Sequence, residues 1–293
     1  MHSLLRCALL LALAAAAAGA CAATGCPQFY AAGQPPEIAA SRLQPRTREI
    51  CFGAFAVMHS GVSRTPLWAA ERLERRRLRA ARKVERRDAF HAEQSLPPAD
   101  RAELADYARS GYDRGHMAPS ADMPSRRAQA QSFSLANMVP QAPQNNQGIW
   151  AGMEMAVRGL AESRGEAYVL SGPAFLGDRV GRIGNVLVPT HLWKVVYLPR
   201  TGEAGAYFIP NQATTEYSAL SVAQLEKIVG LRLLPGLPQK VRETAMRLPD
   251  PVADERWAGA GRPSGAPAGG YTPTYRIAEV LKAMEKLLKR FDH

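Results

Sequence analysis

Gly111-Tyr112-Asp113-Arg114-Gly115-His116-Met117-Ala118-Pro119 sets a guanidinium, a glycine and an imidazole within three residues. Downstream come Asn137-Met138-Val139-Pro140-Gln141, then Asn145-Asn146-Gln147-Gly148-Ile149-Trp150, then Glu154. An imidazole titrates near neutrality and suits proton removal from water. The planar fork of Arg114 suits the non-bridging oxygens of a phosphate as the phosphorus becomes five-coordinate. Asn146 and Glu154 stand eight residues apart, a little over two helical turns, so a helix projects them from a similar face. An amide oxygen and a carboxylate form a sparse set of hard donors, which suits Mg²⁺, an ion that keeps several of its own waters. Taken singly, each segment has a plainer meaning: His116 a hydrogen-bonded structural residue, Asn146 a helix cap. The two segments in order favour the chemical meaning.

The surrounding chain narrows the setting. Arg6 precedes the apolar run Cys7 to Ala18, and Ala20-Cys21-Ala22 offers small residues for cleavage. This pattern predicts a secretory signal peptide over residues 1–22, hence a secreted or periplasmic protein. The run is shorter than the roughly 20 apolar residues of a spanning helix. A retained membrane anchor and a lipidated Cys21 are the alternatives. Cleavage after Ala22 leaves Cys26 and Cys51, which predicts one disulfide in an oxidising compartment, against two free buried thiols. The loop it closes is about 25 residues, worth about 3 kcal/mol in the chain-entropy account.

The 293 residues carry 37 Lys and Arg against 26 Asp and Glu, a formal charge of +11, with 46% hydrophobic residues. A folded body with a basic surface attracts polyanions, nucleic acid before anionic membrane. Eight Arg and Lys83 against two Glu crowd into Arg72–Arg87, either as a solvated helix or hairpin face or as an arm that contacts nucleic acid.

Along the chain, residues 23–48 read as an irregular lead-in and Ile50–Met58 as a strand. Helices are predicted near Arg126–Phe133, over Asn146–Glu162 and over Ser221–Val229, the last with Ser221 as cap and Gln224 completing a capping box. Strands are predicted over Ala167–Ser171, Val186–Pro189, Leu192–Leu198 and Ala206–Ile209, with Ser171-Gly172-Pro173 as a strand end and turn. Gly259 to Gly270 reads as a linker, and Ile277 to Phe291 as an amphipathic basic helix. The division is a signal peptide over 1–22, one domain over 23–258, and linker plus helix over 259–293. His59, His91 and His191 have no metal-ligand spacing, and no G-x-S-x-G occurs.

Asp113-Arg114-Gly115-His116, Asn137-Met138-Val139-Pro140-Gln141, Asn146-Gln147-Gly148-Ile149-Trp150 and Glu154 together resemble the signature of the DNA/RNA non-specific endonuclease family, which has the ββα-metal fold. The likeness extends more loosely from Phe52, through Ser63-Arg64-Thr65-Pro66-Leu67-Trp68, to about Leu225. It implies an α+β fold with a central, mostly antiparallel sheet flanked by helices. It also implies a Mg²⁺-dependent enzyme, with Mn²⁺ as a substitute, that cuts DNA and RNA through phosphate contacts and leaves 5′-phosphate and 3′-hydroxyl ends. By that resemblance His116 is the general base and Asn146 the direct metal ligand. Glu154 supports the hydration shell of the ion. Arg114, and less directly Arg64, meet the phosphate, Asn137 orients the site by hydrogen bonds, and Asp113 pins the loop. Asn145 leaves a one-residue ambiguity, which Gln147 and the distance to Glu154 resolve toward Asn146. The part beyond about Leu231 has no counterpart in the pattern.

The rival expectation is a non-catalytic, basic nucleic-acid-binding envelope protein, which the Arg72–Arg87 run and the basic terminal helix would equally serve. A phosphodiesterase for a smaller substrate is a further alternative.

Overall fold

The computed structural model describes residues 24–178 and 180–252. The expected signal peptide, linker and terminal helix lie outside the described residues. The strands are β1 (Glu37–Ile38), β2 (Thr47–Cys51), β3 (Phe55–Ser60), β4 (Thr65–Glu74), β5 (Asp113–His116), β6 (Met138–Gln141), β7 (Glu166–Ala174), β8 (Arg182–Ile183), β9 (Val186–Leu187), β10 (His191–Leu198), β11 (Glu203–Pro210), β12 (Ser218–Leu220) and β13 (Leu231–Arg232). The helices are α1 (Arg75–Ala81), α2 (Leu104–Tyr107), α3 (Arg126–Ser132), α4 (Ala151–Arg164), α5 (Val222–Val229) and α6 (Gln239–Glu243).

Seven strands form one antiparallel sheet in the order β12-β11-β10-β7-β4-β3-β2. Side chains alternate across a strand, and here both faces are covered, so the central strands are apolar almost throughout. In β10, Leu192, Val196 and Leu198 join the cluster that includes Trp150, Met153 and Val157 of the α4 side. Trp193 and Val195 point the other way, into a cluster with Val222, Leu225 and Val229 of α5 and Phe29 and Tyr30 of the N-terminal segment. The result is three layers of an α+β fold, as expected. Among the described residues no helix is long and apolar enough to cross a membrane.

Several expectations need correction. Ile50–Met58 is not one strand: β2 ends at Cys51, the amide of Phe52 donates to Phe55 O at 2.9 Å, and β3 returns from there. Phe52 stacks on Phe55 with ring centroids 4.5 Å apart, which holds the tight turn closed. Arg72–Arg87 is neither one helix nor a hairpin face, because the strand before it runs on to Glu74. Trp68, Ala69 and Ala70 of β4 are buried in mid-sheet, and only Arg75–Ala81 coils into α1. Ser171-Gly172-Pro173 lies inside β7, not at a turn. Pro173 pairs with Leu192 of β10, while β4 pairs with β7 only as far as Ser171, so the proline lies where the strand is no longer flanked on both sides.

The Cys26–Cys51 disulfide ties the lead-in to β2. The capping box of Ser221 and Gln224 opens α5 as read. The segment beyond Leu231 is also placed: β13 pairs with β1, and the amide of Met246 donates to Ala204 O at 2.7 Å.

Gly172 shows how tightly the layers meet. A Cβ there would stand 2.4 Å from Leu67 O and 2.5 Å from Trp193 Cζ2. Gly172→Ala is expected to cost about 1–3 kcal/mol by overpacking, read as a lower urea midpoint at unchanged slope.

Candidate active site

Strands β5 and β6 form their own antiparallel ribbon, with Gly115 opposite Val139 and His116 opposite Met138. Gly115 is required: a Cβ would fall 2.0 Å from Gln141 Oε1 and 2.7 Å from its Cβ. After β6 the chain enters a π turn over Asn145–Trp150, with Gly148 at φ −100°, ψ −106°, and runs on as α4. Two α turns take about 7.2 residues, so a plain helix would overshoot between Asn146 and Glu154. A π turn takes up an extra residue, and both side chains reach one cavity.

That cavity has a volume of about 690 Å³. His116, Arg114, Asn146 and Glu154 all line it, together with Arg86 and Tyr107. The two neighbouring asparagines separate cleanly. Asn145 is fully buried, accepting from Gln141 Nε2 at 2.7 Å and donating to Pro210 O at 2.9 Å. Asn146 faces the cavity, and its Nδ2 donates to Asp113 Oδ2 at 2.9 Å. Gln147 Nε2 donates to the same carboxylate oxygen at 2.8 Å. Asp113 therefore fixes the amide so that Oδ1, which meets no donor among the described residues, is left to the cavity.

Asn137 is buried behind this surface. Its Oδ1 accepts from the Ala118 amide at 2.9 Å, and its Nδ2 donates to Ala118 O and Ser132 O, each at 2.9 Å. It fixes the loop that follows His116 without lining the cavity. Arg64 is not brought to the cavity. It sits in the β3–β4 turn at φ 56°, and its Nη1 donates to Arg101 O at 3.3 Å. His59 and His191 are absent from the cavity too, one bonded to Asp100 O at 2.9 Å, the other stacked on Phe208.

His116 stands in an aromatic frame. Its ring lies 4.9 Å from Phe133, edge-on, and 5.7 Å from Phe90. Nε2 is buried with no hydrogen-bond partner among the described residues. Burial, then the nearby guanidiniums of Arg86 and Arg114, hold the imidazole pKa down at about 3. The ring is neutral at pH 7 and keeps a lone pair. Arg114 stacks over Phe90 at 4.0 Å from the ring centroid, while Arg86 lies 5.3 Å from Phe133 and donates to Ser120 Oγ at 3.1 Å.

Sequence reading missed Arg86, Tyr107 and a buried charge cluster beneath α4. Nothing distinguishes Arg86 among its basic neighbours. Tyr107, whose hydroxyl is buried and unpartnered among the described residues, comes from α2, far from either motif. The cluster joins Glu71 of β4, Lys194 of β10, Asp122, Arg158 and Glu154. Arg158 Nη1 donates to Asp122 Oδ1 at 3.0 Å. Lys194 Nζ donates to Ser171 Oγ at 2.6 Å and lies 4.7 Å from the Trp150 ring centroid. A lone lysine in the apolar run Leu192–Leu198, and Glu71 in Leu67–Leu73, were the available signals.

The donor chemistry fits a hard divalent cation. Three carboxyl groups face two cationic side chains, and burial pushes all three carboxyls toward the neutral form. Glu154 is the cluster's member at the cavity, raised to about 7 by burial against the pull of Lys194 and Arg158. Asn146 Oδ1 and Glu154 supply the oxygens. Elsewhere among the described residues, the one compact trio of His, Cys, Asp or Glu is Cys26, Glu49 and Cys51, whose sulfurs are joined to each other.

Residues 37–240 match the DNA/RNA non-specific endonuclease family, a longer span than the motifs alone delimit. The chain belongs to that family. It is similar to human mitochondrial nuclease EXOG, at 33% identity over 216 residues covering 65% of this chain and 58% of EXOG. Bovine mitochondrial endonuclease G is 32% identical over 244 residues, covering 76% of this chain and 80% of that protein. A chain in the crystal structure of the EndoG/EndoGI complex superposes with a TM-score of 0.58 at 25% identity, over 66% of this chain and 88% of its own length. The ββα-metal architecture is thus shared, and β5, β6 and α4 are its ββα unit here.

Asp113→Ala frees the Asn146 amide, and the Gln147 amide with it, and leaves His116, Arg114 and Glu154 in place. The half-saturating concentration of divalent cation is expected to rise on the order of 10- to 100-fold, as for other outer-sphere supports of metal sites. Titration of the variant by calorimetry or activity checks this, and an unchanged value refutes the orienting role.

Proposed function

We propose that this protein is an exported, Mg²⁺-dependent endonuclease that hydrolyses DNA and RNA without base preference. The observation that carries the reading is the convergence of His116, Arg114, Asn146 and Glu154 on one cavity, with Asn146 held by Asp113. Family membership and the nuclease relatives support it. The chain spans only 58% of human EXOG, so activity and substrates are inferred for this chain from its own site.

In this reading Asn146 Oδ1 holds the metal and Glu154 supports its hydration. The bound ion would stabilise negative charge on the phosphate and on the departing 3′-oxygen. His116 takes a proton from the attacking water with a ring nitrogen, and its low pKa ensures that the free lone pair is present. Arg114 neutralises a non-bridging oxygen, held flat against Phe90 so that little order is lost on binding. Arg86, over the Phe133 ring, lines the same cavity and can meet the same charge. Tyr107 offers a hydroxyl donor in the cavity wall. No element among the described residues is built to enter a groove and read base edges, so recognition through phosphates follows.

Export is supported by the N-terminal apolar run and by the Cys26–Cys51 bond, which persists in oxidising compartments. EXOG and endonuclease G are named as mitochondrial. Fractionation of the producing cell, with a non-reducing gel for the disulfide, decides the compartment.

Incubated with plasmid and with RNA, the mature protein is expected to cut both in Mg²⁺ and neither in chelator. His116→Ala should lose about three orders of magnitude or more of rate, the scale of general-base removal, while still binding DNA. Binding without cutting by the unaltered protein would return the basic binding protein as the better reading.

The pH–rate profile supplies an independent check. Because the folded pKa of His116 lies near 3, below the ordinary 6.5, the base stays unprotonated as pH falls through 6. Removing the cation with Arg86→Gln relieves part of that depression. The acid limb assigned to His116 should then move to higher pH, and an unmoved limb would contradict the assignment.

A further inference from the structure

We propose that α1 and the groove between it and α4 form a second stretch of the nucleic-acid path, receiving the strand as it leaves the His116 cavity past Arg86. This inference rests on the nuclease reading and extends it to an interaction surface.

Three observations carry it. The first is continuity. A groove of about 460 Å³ runs along α1, lined by Leu78, Arg82, Met155 and Arg158, and it shares Arg86, Ser120 and Ala121 with the active-site cavity. Arg86 stands at the junction, so a chain engaged at His116 has a trough to follow on that side.

The second is rigid placement. Leu78 and Ala81 bury the inner side of α1. Arg75 donates from Nε to Glu162 O at 2.6 Å and from Nη2 to Ser163 O at 3.1 Å, and Arg82 pairs with Glu162 Oε2 at 2.5 Å. These bonds lock α1 onto the end of α4 and neutralise the one carboxylate in the groove. Arg76, Arg79 and Lys83 are exposed and have no ion-pair partner among the described residues.

The third is the mixed chemistry of the floor. Met155, 56% exposed, lines the groove together with Arg82, Arg86 and Arg158. A concave, cationic trough with an apolar floor matches a single linear polyanion whose bases need a surface to rest on. An anionic membrane would call for a flat or convex apolar face, and the apolar residues of α1 point inward.

The test is a triple substitution, Arg76→Gln, Arg79→Gln and Lys83→Gln, which spares every residue of the cavity. It is made first in a His116→Ala background, where binding of labelled single-stranded and duplex oligonucleotides is followed by anisotropy across a salt series. Loss of about three phosphate contacts should weaken binding on the order of tenfold or more at physiological salt and flatten the log–log salt slope by about 2 for single strands and nearer about 3 for duplex. The charge-conserving Arg76→Lys and Arg79→Lys pair should keep the slope, which separates charge from folding. In the otherwise unaltered enzyme, KM for a long polynucleotide should rise with kcat unchanged, and turnover of a dinucleotide, too short to reach α1, should not move.

Unchanged affinity and slope overturn the proposal. So does equal loss on polynucleotide and dinucleotide, or loss of binding confined to anionic vesicles. Failure of the unaltered protein to cut either substrate sinks the nuclease reading instead, and the His116→Ala binding comparison still decides the fate of the trough.

Discussion

Charge buried between sheet and helix constrains everything above it. Lys194 projects from mid-sheet toward α4, 1% exposed, and Glu71 does the same from β4 at 2%. Neither can stay ionised in that position without partners, since an unpaired buried charge costs several kcal/mol. Ser171, Asp122, Arg158 and Glu154 complete the set, and α4 contributes two of these groups. The helix therefore cannot slide or rotate without stranding a charge. That fixes the azimuth of α4, and with it the direction in which Glu154 faces. A hydrophobic isostere of the cluster could be as stable, so stability alone does not explain it. Burial pushes the carboxyls of Glu71 and Asp122 toward the neutral form, so a proton within the fold can take up the excess of carboxyl over cation, and Glu154 is the member that meets the cavity.

On the ribbon side a different restraint operates. The β5–β6 pair is only four residues long in each strand, too short to define a site by itself. Asn137 compensates by clamping the loop after His116 to the loop before β6, and Gln141 by bonding Asn145 while filling the space that Gly115 leaves open. The imidazole then sits in a frame of Phe90 and Phe133, the same rings that carry Arg114 and Arg86. One set of contacts thus does three things. It orients the base, desolvates it so that it stays neutral, and aims two cations at the space where phosphate charge would develop. Asp113 links this side to the other through Asn146, so the ribbon and the helix are not independently placed.

The local parts of this arrangement were readable from residues. Asp113 to His116 and Asn146 to Glu154 announce themselves by type and spacing, and Ser221 with Gln224 announces α5. Arg64, named only from the resemblance of Ser63–Trp68, stands in the β3–β4 turn away from the cavity, because a local likeness does not say which rim of the sheet a turn occupies. The strand β4 was hidden because its charges, Glu71 and Arg72, read as surface. In fact Glu71 is buried by α4, and Arg72 is carried at the strand's far end against Glu166 at 2.7 Å. Long-range pairing decides such cases, and a single sequence does not express it. The π turn is likewise silent in periodicity, although Gly148 supplies the freedom it needs.

The basic arm poses the sharper question of what its charges are for. Arg75, Arg76 and Arg77 occupy the first turn of α1, and Arg126 and Arg127 the first turn of α3, with no acidic residue in either first turn. Cations at a helix N-terminus oppose the macrodipole, each typically by about 0.3–1 kcal/mol, and like charges three or four residues apart add to the cost. Folding gains from Leu78, Ala81 and the bonds of Arg75, and Arg79 in the last turn complements the dipole, but Arg76 in the first turn brings the fold nothing visible. A local electrostatic penalty with no intramolecular return makes sense when the compensating anion is supplied from outside. The trough beside these residues, continuous with the His116 cavity, is where a polyanion would supply it.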